Sequence, residues 1–405
     1  MDIQIAPSRL SGTILVPPSK SISHRALICA ALAKGESRIE NMLECEDTAA
    51  TIDALTALGV AVTSENGTVT VRGIESPSEK AAIDCRESGS TLRFLLPIAA
   101  ALGTEASFDG RAKLPERPIT PYFTEFERHG VRFAEKKMPY QIEGRLTGGE
   151  YEINGNISSQ FITGLLLALP LLSEDSVIRV KPPIESKPYI DLTVDVMRRF
   201  GVSVLENGNE YRIAGGQSYR PAEYTVESDL SQAAFFLVAN AIGANLRIEG
   251  LNPDTKQGDR AILDITKRFS ENGEAFRVDA SQTPDLVPIL TVLACFARGT
   301  SHITGCGRLH IKECDRLEVM SAELNRLGAK IEAKADEMVI EGVGSLRGGE
   351  CDSHTDHRIP MALSIAAASQ YCTGPVILHG AECVSKSYPN FFVDLKKLGG
   401  KVNVV

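Results

Sequence analysis

Pro17-Pro18-Ser19-Lys20-Ser21-Ile22-Ser23-His24-Arg25-Ala26-Leu27-Ile28-Cys29-Ala30-Ala31-Leu32-Ala33 reads as a proline stop, a polar start and an apolar helix. The prolines end the strand-like Thr13-Ile14-Leu15-Val16. The serines offer N-cap oxygens to the N–H groups of the first helical turn. A helix start carries unpaired donors and a partial positive charge, so it attracts anions. Helix stability favours Asp or Glu there. Lys20 and Arg25 instead suit an incoming phosphate or carboxylate. Taken alone, the segment is equally well a capped helix with two solvated cations, so the decision falls to what the rest of the chain repeats.

The pattern recurs at intervals of roughly 65–70 residues, the signature of a repeat architecture. Polar starts lie near Ser19, Ser88, Ser158, Ser231, Asp285 and Asp356. The helices they open are predicted over 91–102, 160–172, 232–242, 286–297 and 358–369, besides the first. They are apolar nearly all round, so each belongs inside a domain. A short strand follows each one. Amphipathic second helices are predicted over 47–59, 121–130, 189–201, 260–273, 316–328 and 390–399, several ending at a C′ glycine. Most precede a strand pair such as 60–63 with 68–71, turned at Asn66-Gly67. The fold class is α/β (α+β), with six βαβαββ-like units. An open solenoid is disfavoured by the apolar inner helices. Two lobes of three units, helices inside and sheets outside, fit better, with the polar helix starts aimed into a cleft.

The chain has 405 residues, enough for two domains, and a net charge of -9, which argues against a nucleic-acid partner. No apolar run reaches transmembrane length and the start is no signal peptide, so no membrane is expected and the cytoplasm is. Nine cysteines without a CxxC pair suit reduced thiols better than disulfides or zinc. His354 and His357 form a possible metal pair, but the spacing offers no third ligand, so neither metal nor cofactor is expected. GxxxxGK[ST], GxSxG and HExxH are missing from the chain.

Chemistry-bearing residues gather at one phase of the repeat. They include Glu87-Ser88-Gly89-Ser90-Thr91-Leu92-Arg93, the Arg111–Pro118 loop, Ser158-Ser159-Gln160, Ser186-Lys187-Pro188-Tyr189 and Thr283-Pro284-Asp285. Arg308–Arg316, Asp356-His357-Arg358 and Ser385-Lys386-Ser387-Tyr388-Pro389 complete the set. Each has a plain reading: Asp285 as an N-cap, the Lys312–Arg316 run as a solvated helix entrance. Their recurrence at a shared phase is what those readings leave unexplained.

The pieces SKSISHR (19–25), SGSTLR (88–93), PERP (115–118), SSQF (158–161), SKPYID (186–191), PD (284–285), KECDRL (312–317), DHR (356–358) and SKSYP (385–389) resemble, in order, the 5-enolpyruvylshikimate-3-phosphate (EPSP) synthase family. The resemblance implies the two-lobed enolpyruvyl transferase fold, with discontinuous lobes of 1–18 plus 227–405 and of 19–226, and an active site in the cleft. It implies transfer of the enolpyruvyl group of phosphoenolpyruvate to the 5-hydroxyl of shikimate 3-phosphate, with release of phosphate. By the resemblance Asp285 is the base, Glu313 the acid, and Lys20 lies between the substrates. Lys20, Ser21, Arg25, Ser158, Ser159, Gln160, Ser186, Asp285 and Lys312 are implied to hold shikimate 3-phosphate. Lys20, Gly89, Arg117, Gln160, Arg316, Arg358 and Lys386 are implied to hold phosphoenolpyruvate. Arg93 stands behind the site and Tyr189 beside the shikimate ring. A monomer is the expectation.

The chain departs from the family pattern at Glu87, Ser88 and Ser90, where Asn-Ala-Gly-Thr is frequent, at Arg308, where some members have Asn, and at Pro18. The first departure bears on how phosphoenolpyruvate and mimics such as glyphosate fit beside Gly89. The sister family acting on UDP-N-acetylglucosamine is an alternative, but it commonly carries a Cys in the loop that here reads DGRAKLPERP (109–118). A non-catalytic anion-binding protein on the same fold is a second alternative. An RNA-end phosphate cyclase is disfavoured by net acidity and the lack of an adenylation motif.

Overall fold

The computed structural model describes residues 1–405 except residue 66. The turn expected at Asn66-Gly67 therefore lies outside the described residues, although its strands Ala61–Glu65 and Thr68–Arg72 pair antiparallel. The chain divides into two compact units, Pro18–Glu227 and Met1–Pro17 with Ser228–Val405.

The Pro18–Glu227 unit carries helices α1 (Lys20–Leu32), α2 (Glu46–Ala57), α3 (Gly89–Leu102), α4 (Thr120–Arg128), α5 (Ser159–Ala168) and α6 (Lys187–Arg199). α1, α3 and α5 are the apolar ones, and from Ile22 onward every residue of α1 is buried. Three four-stranded sheets belong to this unit. In each, two parallel strands meet an antiparallel hairpin, and in two of the three sheets a buried helix joins the parallel pair, as α5 joins Gly149–Asn154 to Ser176–Lys181 beside Glu210–Ile213. The first sheet draws its outer strand, Glu223–Thr225, from the far end of the unit, parallel to Glu36–Glu40.

The second unit carries α7 (Leu230–Ala241), α8 (Ala261–Asn272), α9 (Val287–Cys295), α10 (Arg316–Arg326), α11 (Arg358–Ala368) and α12 (Phe391–Lys397). The N-terminal segment completes two of its sheets. Ile3–Ala6 lies between Val376–His379 and Lys401–Val404, and Ser11–Leu15 pairs parallel with Asn245–Glu249. Each unit has its own hydrophobic core.

The second helices are each followed by a glycine with φ between 63° and 103°, at Gly59, Gly130, Gly201, Gly273, Gly328 and Gly399. The repeat is less regular than the sequence suggests. The fourth sheet has two strands, because only residues 273–276 separate α8 from the next strand, Arg277–Asp279, leaving no chain for a hairpin. The helix expected over 160–172 ends at Ala168 and tightens into a 3-10 turn, Leu169–Leu171. Pro170 lacks the N–H that would continue it. The helix expected from 286 is preceded by a second such turn, Pro284–Leu286.

Candidate active site

In the Pro18–Glu227 unit the starts of α1, α3 and α5 are tied together by side chains. Ser19, Ser88 and Ser158 cap these helices, accepting from the N–H groups of Ile22, Thr91 and Gln160. Lys20 is ion-paired to Asp47 at 2.8 Å. Gln160 accepts from Arg93 Nη1 at 2.8 Å and donates to Ser90 Oγ at 3.0 Å. Burial and the neighbouring Arg117 push Arg93 down to about 9. A Cβ on Gly89 would come within 2.8 Å of guanidinium nitrogens of both Arg93 and Arg117. Two cations thus stand at a bare helix start, a geometry suited to an anion.

Arg25 is 3% exposed and engaged inside the protein. Its Nε donates to Thr193 Oγ1 at 2.8 Å, Nη1 to the Ser21 carbonyl at 2.7 Å and Nη2 to the Tyr189 carbonyl at 3.0 Å. Arg25 therefore sets the positions of Ser21 and Tyr189. Ser186, at the head of α6, is buried with a left-handed φ of 53°. His24 joins α1 to α3 through hydroxyls, 2.8 Å from Thr51 Oγ1, which is 2.8 Å from Thr91 Oγ1. Burial pushes His24 down to about 3, so its ring is neutral near pH 7.

The second unit concentrates charge. Asp285 does not cap a helix. Its carboxylate receives Arg358 Nη2 at 2.7 Å and Arg316 Nη1 at 3.1 Å. Burial raises the Asp285 carboxyl, but Arg358, Arg316, Lys312 and His357 outweigh it and hold the group well below the usual carboxylate range. Nor is the 312–316 run a solvated entrance. Arg316 is 3% exposed and bonds Asp356, itself 0% exposed, through Nε at 2.7 Å. Glu313 faces His357 Nδ1 at 3.0 Å, Lys386 Nζ at 3.8 Å and Arg316 Nη2 at 3.9 Å. Burial again opposes ionisation, and His357, Lys386 and Arg316 overcome it, leaving Glu313 a carboxylate. Lys386 also donates to the Thr355 carbonyl at 2.6 Å. His354 and Thr355 are both left-handed, at φ 48° and 59°, strain of a kind that persists where surrounding contacts hold it.

His354 bonds Glu323 at 3.0 Å rather than joining His357 in a metal pair. Folding supplies a different trio, since Glu313, Asp356 and His357 offer ligand atoms within 4.8 Å of one another. Arg316 and Lys386 already neutralise both carboxylates, so the trio reads as part of an ion-pair network. Arg308 donates to the Ser281 carbonyl at 2.6 Å.

A sequence model described as EPSP synthase (3-phosphoshikimate 1-carboxyvinyltransferase) matches residues 5–395. The chain belongs to the EPSP synthase family. A 3-phosphoshikimate 1-carboxyvinyltransferase of Clostridium kluyveri is 44% identical, over 99% of this chain and 98% of that one. One of Clostridium perfringens is 45% identical, over 98% of each. Among solved structures, an EPSP synthase from Acinetobacter baumannii matches with TM-score 0.81 and 27% identity over all of both chains. The enolpyruvyl transferase NikO from Streptomyces tendae matches at TM-score 0.81 and 20% identity, over 99% of this chain and 98% of that one, a likeness of fold.

Within this EPSP synthase family member, each unit gathers its own candidates. Lys20, Ser21, Arg25, Gly89, Arg117, Ser158, Ser159, Gln160 and Ser186 lie in one; Asp285, Lys312, Glu313, Arg316, Arg358 and Lys386 lie in the other. Sequence reasoning missed three partners: Asp47 on Lys20, Asp356 on Arg316, and His357 on Glu313. The last two stand inside the DHR motif (356–358), where an acid and a base beside the candidate Arg358 were a usable signal. Asp47 opens α2 like any first-turn acid, and nothing distinguishes it. Among the described residues, no helix is long and apolar enough to cross a membrane.

Proposed function

We propose that this chain transfers the enolpyruvyl group of phosphoenolpyruvate to the 5-hydroxyl of shikimate 3-phosphate. The observation that carries the reading is the pair Asp285 and Glu313, two carboxylates held ionised among Arg316, Arg358 and Lys386. Addition requires a proton on the methylene carbon of phosphoenolpyruvate while the hydroxyl oxygen bonds to the neighbouring carbon. The tetrahedral intermediate then loses a proton from that methyl carbon, and phosphate departs with its bonding electrons. Asp285 takes the 5-hydroxyl proton, a task that suits a carboxylate already ionised.

Glu313 donates at the methylene carbon. It is a carboxylate without ligands, so the proton must arrive with the substrates. Their phosphates and carboxylates neutralise Lys386 and Arg316, and losing that positive field raises the Glu313 pKa. Lys20 assists phosphate departure. Ser21, Arg25, Ser158, Ser159, Ser186 and Lys312 hold shikimate 3-phosphate, Tyr189 flanks its ring, and Gln160 reaches both ligands. Gly89, Arg117, Arg316, Arg358 and Lys386 hold phosphoenolpyruvate, with Arg93 supporting Gln160. Charge-assisted bonds of this kind are the strong ones. One chain supplies every residue, so a monomer suffices. The cysteines are free thiols, eight of them buried, which suits a reducing cytoplasm.

Mixing the protein with phosphoenolpyruvate and shikimate 3-phosphate is expected to release phosphate, whereas UDP-N-acetylglucosamine in its place is not. Release with the nucleotide sugar alone overturns the substrate assignment, and silence from folded protein overturns catalysis.

A further inference from the structure

His310 lies in the Arg308–Arg316 run and has no part in the proposed reaction. Its ring bridges two elements. Nδ1 lies 2.7 Å from Asp315 Oδ2, and Nε2 lies 3.3 Å from the Ala335 carbonyl oxygen. A carboxylate and a carbonyl can only accept. Both bonds therefore exist together only when both ring nitrogens carry protons.

The two partners are fixed points. Asp315 caps α10, its Oδ1 accepting from the Glu318 N–H at 3.2 Å. Ala335 sits in the turn between strands Lys330–Ala333 and Glu337–Glu341. The next residue in that turn, Asp336, accepts the Gly307 N–H at 2.6 Å, just ahead of the run. Between His310 and Asp315 lie Lys312 and Glu313. The bridged ring closes this short loop on α10 at one end and on the turn at the other.

We propose that His310, as an imidazolium, is a positioning residue that clips residues 311–314 in place and so sets where Lys312 and Glu313 stand, making turnover depend on its protonation. The inference rests on the reading of Lys312 and Glu313 as substrate-contacting groups. The charged groups facing the ring are Asp315 and Glu318 from α10, with the Ala335 carbonyl from the turn and Asp336 beside it. The Asp315 bond raises the pKa of His310 above its ordinary value; partial burial opposes this, and the charges of Asp315 and Glu318 and the Ala335 carbonyl add to the rise. The sign follows. A raised folded-state pKa means the clip is complete below the ordinary histidine value of about 6.5 and is lost as pH climbs through the folded value. A neutral ring keeps only one of its two bonds.

The test uses the full chain as wild type, His310→Arg and His310→Leu, with two readouts. In the ligand-free protein, ring nitrogen NMR is expected to show both nitrogens of His310 protonated at pH 6, with a midpoint above 6.5. A ring already neutral at pH 6 overturns the proposal. In steady state, kcat/KM of the wild type is expected to fall on an alkaline limb that matches the ring titration. His310→Leu should lose roughly ten- to a hundredfold near pH 7, the scale of a small misplacement of a catalytic group. His310→Arg, which keeps a charge and several donors, should recover most of that loss and lack the limb. A Leu variant with wild-type constants and pH profile overturns the proposal. If the Leu variant does not fold, an Arg variant with the same alkaline limb as wild type overturns it. If the wild type itself turns over nothing, the proposed function fails, and the ring titration still decides whether the clip exists.

Discussion

Asp285 is held by two guanidiniums, and that arrangement makes two claims measurable. Asp285→Ala and Lys20→Ala should each fold and lose turnover by about 100- to 10,000-fold, the usual worth of a positioned acid or base. Near-wild-type rates in either would remove that residue from the mechanism. Asp285→Asn should also destabilise the protein, since Arg316 and Arg358 are left facing each other. The Asp285 carboxyl is depressed in the folded state. Its stabilisation is therefore present above the ordinary value of about 3.9 and decays as pH falls below it, because the unfolded chain takes up the proton first. The gap in melting temperature between wild type and Asp285→Asn should narrow from pH 7 to pH 3. A gap that widens would contradict the pairing. At Gly89 a methyl group would displace the Arg93 and Arg117 guanidiniums 2.8 Å away. Gly89→Ala should raise KM for phosphoenolpyruvate more than it lowers kcat, and equal effects on both would argue that the pair does not hold this substrate. Lys20 and Asp285 were legible as candidates because charged residues at an apolar helix start need a reason, whereas the roles of Gly89 and Glu313 came with the family motifs. The pairings were not legible, because Arg358 is 73 residues from Asp285 and His357 is 44 from Glu313.

The contact between α3 and α5 shows how an element can be legible while its packing is not. Pro97 inside α3 has no N–H, which frees the Arg93 carbonyl from its helical bond. The buried Tyr122 hydroxyl takes that carbonyl at 2.7 Å and the Phe161 carbonyl at 3.0 Å. On α5, a Cβ at Gly164 would lie 2.2 Å from the Arg93 carbonyl oxygen, so glycine is what allows the two backbones to approach. Arg93 in turn steadies Gln160. Tyr122→Phe should lower unfolding free energy by about 1–3 kcal/mol, the cost of a buried acceptor left unmade. Denaturant melts showing no loss would mean another group satisfies that carbonyl. The sequence marks α3 and α5 as apolar helices with polar starts; it does not say that Pro97, Tyr122 and Gly164 meet.

Two separate cores imply two units able to respond separately. Six of the residues proposed for shikimate 3-phosphate, Ser21, Arg25, Ser158, Ser159, Gln160 and Ser186, belong to the Pro18–Glu227 unit. Shikimate 3-phosphate alone should therefore stabilise that unit first. At about a hundred times its dissociation constant the gain is about 2.7 kcal/mol. Calorimetry or hydrogen exchange with this ligand should show protection centred on α1, α5 and α6. Protection confined to α9–α11 would place the ligand elsewhere.

Six polar starts, six apolar helices and six glycine stops determined the repeat from the sequence alone, because helix capping, burial and left-handed backbone are local demands on residue type. Family membership was legible for the same reason, in short motifs kept in order. Three outcomes were left to the tertiary structure. The fourth repeat lost its hairpin to a four-residue connection, 273–276. The N-terminal strand Ile3–Ala6, which the family resemblance had put with the C-terminal half, found its particular place in the last sheet, between partners more than 370 residues away. The carboxylates Asp285, Glu313 and Asp356 were matched to particular cations. Which strand edge is unfilled and which charge is nearest depend on distances through space, and these exist only once the chain has folded.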